Sequence, residues 1–231
     1  MENLNNDSDK VKKVKRYTYQ SLDIWIGKMK LAFNNSSLPE IYPYLLTVGY
    51  DEAKLETLKG KLAELISLDQ AQTKAQAEQQ AATNVSDKKR KEINALYLKH
   101  RSLLKILLGG NTLASASLKL NGQRKKSYSE WFQDVSSFYA QLAQTPELAA
   151  HAATVGISEA TTDSQKQLLA DLQTLKETQR NKTANTRLAT EQRNGAFNEL
   201  RPRYSEYIKY ARILLAGNQA LEALGITVRG K

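Results

Sequence analysis

The stretch Asp69–Tyr97, DQAQTKAQAEQQAATNVSDKKRKEINALY, decides how this chain folds. Apolar residues keep helical spacing on both sides of it. Leu55, Leu58, Leu62 and Leu65 come before, and Ile93, Tyr97, Leu104 and Leu107 resume in the same phase. No strong helix breaker interrupts it, so one unbroken helix, about 85 Å long at 1.5 Å per residue, is one solution. That helix would carry Asp69, Gln72, Gln76, Gln79, Thr83 and Ser86 along its seam, which is a poor core. A turn near Asn84–Asp87 is the other solution. It sets the Ala-rich run (Ala71, Ala75, Ala77, Ala81, Ala82) against Ile93, Leu96 and Tyr97, small side chains facing large ones. Later in the chain Asn194-Gly195, a turn pair, falls at the corresponding place, and Pro202 beyond it predicts a kink or a late helix start. The expectation is therefore a long antiparallel helical hairpin.

That correspondence belongs to a wider internal match. Shifting the chain by 107 residues lays Pro39-Glu40 on Pro146-Glu147, Thr47-Val48-Gly49 on Thr154-Val155-Gly156, and Gly110-Asn111 on Gly217-Asn218. Leu62, Ala63, Leu65 and Leu68 fall on Leu169, Ala170, Leu172 and Leu175, and Ile106-Leu107-Leu108 on Ile213-Leu214-Leu215. Between residues 39 and 116 there are about two dozen identities, where average composition supplies roughly five. Helical composition does not demand the recurring loop residues, so the match reads as a duplication.

Each copy predicts the same elements. A first helix spans about 17–34 in one copy, with Leu22, Trp25, Ile26, Met29, Leu31 and Phe33 as its apolar stripe, and about 127–143 in the other, with Trp131, Phe132, Val135, Phe138, Tyr139 and Leu142. A short second helix starts near Pro39 or Pro146 and ends at Gly49 or Gly156. Asp51 and Ser158 cap the long segment, and Asn111 and Asn218 cap a last short one. The expected fold class is all-α: two tandem helical bundles related by duplication, each with its own long hairpin. The expected division is a polar tail 1–13, a first bundle 14–121 and a second bundle 122–231.

The ending Leu221-Glu222-Ala223-Leu224-Gly225-Ile226, with Val228-Arg229 after it, resembles that of a group of uncharacterised bacterial all-helical proteins. So does Ala189-Thr190 in a polar segment followed by a helix ending in Ala211-Arg212-Ile213. The resemblance covers mainly the second copy. It implies a soluble helical repeat protein and carries over no catalytic or ligand-binding residue.

Composition narrows the chemistry. The 231 residues include no cysteine, two histidines and 41% hydrophobic residues, with 34 basic against 24 acidic side chains. Disulfides, thiolate metal sites and cysteine nucleophiles are excluded outright. Residues 1–16 lack the apolar run of a secretory signal, and no window approaches the roughly 18 apolar residues of a membrane span. The expectation is a soluble cytoplasmic protein. Neither His100 nor His151 has glutamate three residues before it, so the Glu-x-x-His pairs of di-iron bundles are missing. Zinc, phosphate-loop, dinucleotide and nucleophile-elbow motifs are missing too. His100 lies on the apolar seam and reads as a structural histidine. No catalytic residue, metal ligand or cofactor is expected.

Up to residue 107 there are 18 basic and 13 acidic side chains, and beyond it 16 and 11, so each copy carries five net positive charges. The bases concentrate at Lys10–Arg16, at Lys88, Lys89, Arg90 and Lys91, at Arg124, Lys125 and Lys126, and at Arg201, Arg203, Lys209 and Arg212. The last group alternates with Tyr204, Tyr207 and Tyr210, a pattern compatible with single-stranded nucleic acid or with tyrosines turned into a core. Two functions remain open. One is a non-catalytic interaction or scaffold protein acting through bundle faces or hairpin tips, with a protein partner or by self-association. The other is an electrostatic binder of nucleic acid or another anionic surface.

Overall fold

A computed structural model describes residues 21–228. The expected tail 1–13, the Lys10–Arg16 cluster, the first four residues of the expected first helix and Arg229 lie outside the described residues. Among the described residues all regular structure is helical. The elements are α1 (Leu22–Asn35), α2 (Tyr42–Leu46), α3 (Glu52–Leu107), α4 (Thr112–Ser117), α5 (Tyr128–Gln144), α6 (Pro146–Thr154), α7 (Glu159–Leu214) and α8 (Ala220–Ala223).

The helix starts follow from short polar side chains that satisfy otherwise orphaned N–H groups. Asp51 Oδ1 accepts from the Lys54 N–H at 2.8 Å, Ser158 Oγ from the Thr161 N–H at 3.2 Å, and Asn111 Oδ1 from the Ala114 N–H at 3.0 Å. Gly49 and Gly156 adopt φ of 77° and 80°, the left-handed geometry expected of them. The first of the two expected short proline-led helices departs from expectation. It begins at Tyr42 with Pro43 in its first turn rather than at Pro39.

The expected hairpins do not form. Both α3 and α7 run unbroken for 56 residues, and Asn84–Asp87, Asn194-Gly195 and Pro202 are all helical. The two long helices pack antiparallel against each other, and that explains the polar seam. Lys182 Nζ donates to Glu78 Oε2 at 2.6 Å, Gln179 Nε2 to Thr83 Oγ1 at 3.0 Å, and Thr186 Oγ1 to the Ala75 carbonyl at 3.0 Å. Arg193 reaches Gln72 at 3.1 Å and Asp69 at 3.6 Å. Asp69, Gln72 and Thr83, poor material for an apolar core, thus find complementary groups on the partner helix, whereas the buried Ser86 hydroxyl has no hydrogen-bond partner.

Contacts divide the chain into two compact units, and these are not the segments 14–121 and 122–231. Each takes one end of α3 and one end of α7. The first unit runs to Ser67 and resumes at Gly195; the second is Leu68–Asn194. In the first, α1, α2 and α8 enclose the leading turns of α3 and the trailing turns of α7. Leu55, Leu58, Leu62 and Leu65, spaced three and four apart, present one buried face to Leu200, Tyr204, Tyr207 and Ala211. Phe33 meets Tyr204 and Tyr207 edge-to-face at 5.9 and 5.6 Å, and Tyr50 meets Tyr207 at 5.3 Å. Each such pair contributes about 0.5–1.5 kcal/mol beyond the area it buries.

The second unit is built from α4, α5, α6, most of α3 and the leading part of α7. Ile93, Tyr97 and Leu104 pack with Trp131, Val135, Phe138, Tyr139, Leu142, Leu169 and Leu172. His100, 6% exposed, sits in this core with Nδ1 3.0 Å from the Tyr139 hydroxyl. Burial, then the nearby Lys99, holds its pKa below the ordinary 6.5, while burial pushes the Tyr139 phenol up. His100 thus lies in the core, on the apolar seam expected of it.

A candidate anion-binding basin

The loop between α4 and α5 places three consecutive cations over the side of α3. Gly122, at φ 104°, turns the chain, and Ser127 then caps α5 reciprocally. Its hydroxyl accepts from the Glu130 N–H at 3.4 Å and donates to the Glu130 carboxylate at 2.7 Å. Two arginines of α3 hold the loop down. Arg101 donates to the Leu120 carbonyl at 2.8 Å and the Lys119 carbonyl at 3.1 Å, and Arg90 donates to the Lys126 carbonyl at 3.1 Å.

Between loop and helix lies an open basin of about 830 Å³. Six cations line it: Arg90, Lys91 and Arg101 from α3, and Arg124, Lys125 and Lys126 from the loop. Two acids, Asp87 and Asp134, line it as well. Asp134 is paired with Lys119 at 2.7 Å, and Lys125 lies 3.4 Å from Glu130. The Ser127 hydroxyl, followed by Lys125, holds the Glu130 carboxyl below the usual carboxylate range. The Arg101 Nε is buried without a hydrogen-bond partner.

The aromatic floor is already covered. Trp131 is 5% exposed, donates from Nε1 to Asn94 Oδ1 at 2.9 Å, and has the Arg90 guanidinium over its ring at 4.8 Å. Tyr97 is 6% exposed, and burial raises its pKa. The basin therefore offers fixed positive charge and apolar edges rather than open ring faces.

Two of the basic runs singled out in the sequence thus meet here. Lys88 is exposed beside the basin and Lys89 pairs with Glu92 at 3.6 Å, and both are mid-helix rather than at a tip. The run at 201–212 belongs to the first unit instead. Arg201, Arg203, Lys209 and Arg212 are exposed on α7 in the first unit, with Arg201 over the Trp25 ring at 4.9 Å and Arg203 paired with Glu199 at 3.2 Å. Of the tyrosines among them, Tyr204 and Tyr207 are core residues, 7% and 0% exposed, and Tyr210, 37% exposed, packs edge-on against Tyr50 at 6.1 Å, so the segment offers no row of open rings for stacking.

Lys176, Arg180 and Arg187 escaped the sequence reading. They line a second cavity of about 490 Å³ together with Tyr128, Gln179, Thr183 and Ala184. Their spacing of four and seven places them on one face of α7, a signal present in the sequence but diluted by neutral neighbours. Among the described residues no group of histidines and carboxylates is arranged to hold a metal ion, and no helix is long and apolar enough to cross a membrane. No protein family, curated protein or solved structure matches the chain.

Proposed function

We propose that this is a non-catalytic helical interaction protein that holds an anionic partner in the basin of its second unit. The observation that carries the reading is the convergence of five cations from two separate basic runs, together with Arg101, on one open concavity, with Arg90 and Arg101 also bonded to the loop backbone. Pre-positioned guanidinium groups lose less freedom on binding than free ones and match carboxylate or phosphate oxygens in pairs.

The test uses two fluorescein-labelled probes in low salt, an oligothymidylate and a poly-glutamate. Replacing Lys91, Arg124, Lys125 and Lys126 by Gln is expected to weaken whichever probe binds by at least tenfold. The matched replacement of Arg201, Arg203, Lys209 and Arg212 by Gln is expected to leave it unchanged. Binding of neither probe, or equal weakening by both variants, would remove this reading.

We also infer that the two halves derive from one duplicated helical unit. The long helices are equal in length and begin at Glu52 and Glu159, offset by the 107 residues of the sequence match. Each core draws on corresponding elements: α1, α2 and α8 with one end of each long helix, and α5, α6 and α4 with the opposite ends. Self-association is a second reading. Ile106 and Leu113 are 84% and 82% exposed in the second unit, and Ile213, the counterpart of Ile106, is 72% exposed in the first. Sedimentation that stays monomeric across the micromolar range would exclude it.

A further inference from the structure

The basin does not end at its own rim. Asp87 on its wall lies 3.7 Å from Lys176, and Arg90 extends over the Tyr128 ring at 5.6 Å. Lys176 and Tyr128 both line the second cavity, with the Lys176 ammonium 4.9 Å from the Tyr128 ring centre. The two cavities share no lining residue but are neighbours, meeting where Arg90 and Asp87 of one touch Tyr128 and Lys176 of the other. The second adds Arg180 and Arg187, both exposed, and no acidic side chain among its lining residues. From Lys176 to Arg187 the cations cover about 16 Å of helix.

We propose that these two cavities form one track for the sugar–phosphate backbone of a single-stranded nucleic acid. This rests on the anion-binding reading and names its partner. Three observations select this polyanion. First, the basin is much larger than a phosphate group, within the roughly 300–1,000 Å³ usual for ligand pockets, so the occupant brings organic bulk with its charge. Second, the cations continue from one cavity to the next, as a linear polyanion requires. Third, none of the exposed large hydrophobic residues lines either cavity. An acidic protein partner would need such apolar anchors.

The binding mode follows from the covered rings. Phe132 stacks on Tyr128 at 5.8 Å, and Lys176 and Arg90 occupy its surroundings, so bases have no free platform. Affinity comes from phosphate neutralisation and is indifferent to base identity.

The experiment is a salt titration of the full chain by fluorescence anisotropy, using labelled strands of three and twelve nucleotides in oligothymidylate and oligoadenylate form, with poly-glutamate and a twelve-base-pair duplex as comparisons. The longer strand is expected to bind more tightly than the shorter, with thymidylate and adenylate alike. Replacing Arg180 and Arg187 by Gln removes two phosphate contacts. It should lower the slope of log K against log salt by about 1.4, at about 0.7 per contact, and weaken binding on the order of tenfold at 0.1 M salt. Both side chains are exposed, so a circular dichroism melt unchanged by the double substitution establishes that folding is intact. An unchanged slope in that variant overturns the track, as does equal affinity for the short and long strands. Poly-glutamate or duplex binding at least as tightly as the long strand overturns the assignment to a single strand but leaves the anion-binding reading in place. If no probe binds, both fall.

Discussion

Replacing Val85 by proline separates the unbroken helix from a hairpin at a single residue. Val85 lies within the stretch where a turn was expected, and its side chain is 51% exposed, so its removal costs little packing. In the continuous α3 its N–H bonds the carbonyl of Ala81. Proline abolishes that bond, and its ring collides with the same carbonyl, at a cost of about 3 kcal/mol or more. For a chain of this size each kcal/mol moves the midpoint by roughly 2–4 °C, so the loss corresponds to roughly 6–12 °C. Val85→Ala is the control. It makes the same side-chain truncation with a better helix former and should stay within about 0.5 kcal/mol of the parent. The assay is thermal and urea unfolding followed by circular dichroism, with all three proteins measured together. If the proline variant unfolds with the alanine one, residue 85 occupies a turn and the unbroken helix is wrong.

Gly195→Ala makes the converse test in α7, where a turn was also expected: nothing lies within 4 Å of an added Cβ. The variant should gain about 1 kcal/mol in urea unfolding, and a loss would mean that Gly195 needs a conformation outside the helix. Thr186→Val removes the hydroxyl that lies 3.0 Å from the Ala75 carbonyl across the seam. It should cost about 1 kcal/mol by the same measurement, and an unchanged midpoint would show that the polar seam contributes nothing. His100 predicts a pH dependence. Because its folded pKa lies below the ordinary 6.5, the unfolded chain takes up the proton first on acidification. Its contribution is complete above about pH 6.5 and is lost as pH falls through that value towards the folded pKa. Melting curves from pH 7.5 to 5 should therefore fall more steeply for the parent than for His100→Gln, and parallel curves would contradict the buried neutral imidazole.

The caps and apolar stripes were readable because their causes are local. Asp51, Ser158 and Asn111 each satisfy an N–H three residues away, and the spacing of Leu55, Leu58, Leu62 and Leu65 specifies one buried face. The hairpin failed for a non-local reason. Asp69, Gln72 and Thr83 would be poorly placed in an apolar seam, but they are matched by Arg193 and Gln179, more than ninety residues away. No pattern within residues 69–97 distinguishes polar groups that face water from polar groups awaiting a partner. The candidate site was half legible for the same reason. Arg90 and Lys126 each belonged to an evident basic run, but the bond between them spans 36 positions, and Lys176, Arg180 and Arg187 form no run at all. The alternation of bases and tyrosines at 201–212 left two readings open in the sequence, and Tyr204 and Tyr207 follow the core one.

The most direct test of where an anionic partner sits is the set of arginine Nε–H resonances, recorded by nuclear magnetic resonance while a twelve-nucleotide oligothymidylate is titrated into the full chain at low salt. The account predicts saturable shifts at Arg90, Arg101, Arg124, Arg180 and Arg187, which line the two cavities of the second unit, with Arg201, Arg203 and Arg212 unmoved. Shifts centred on Arg201–Arg212, or small shifts spread evenly over every arginine, would contradict it.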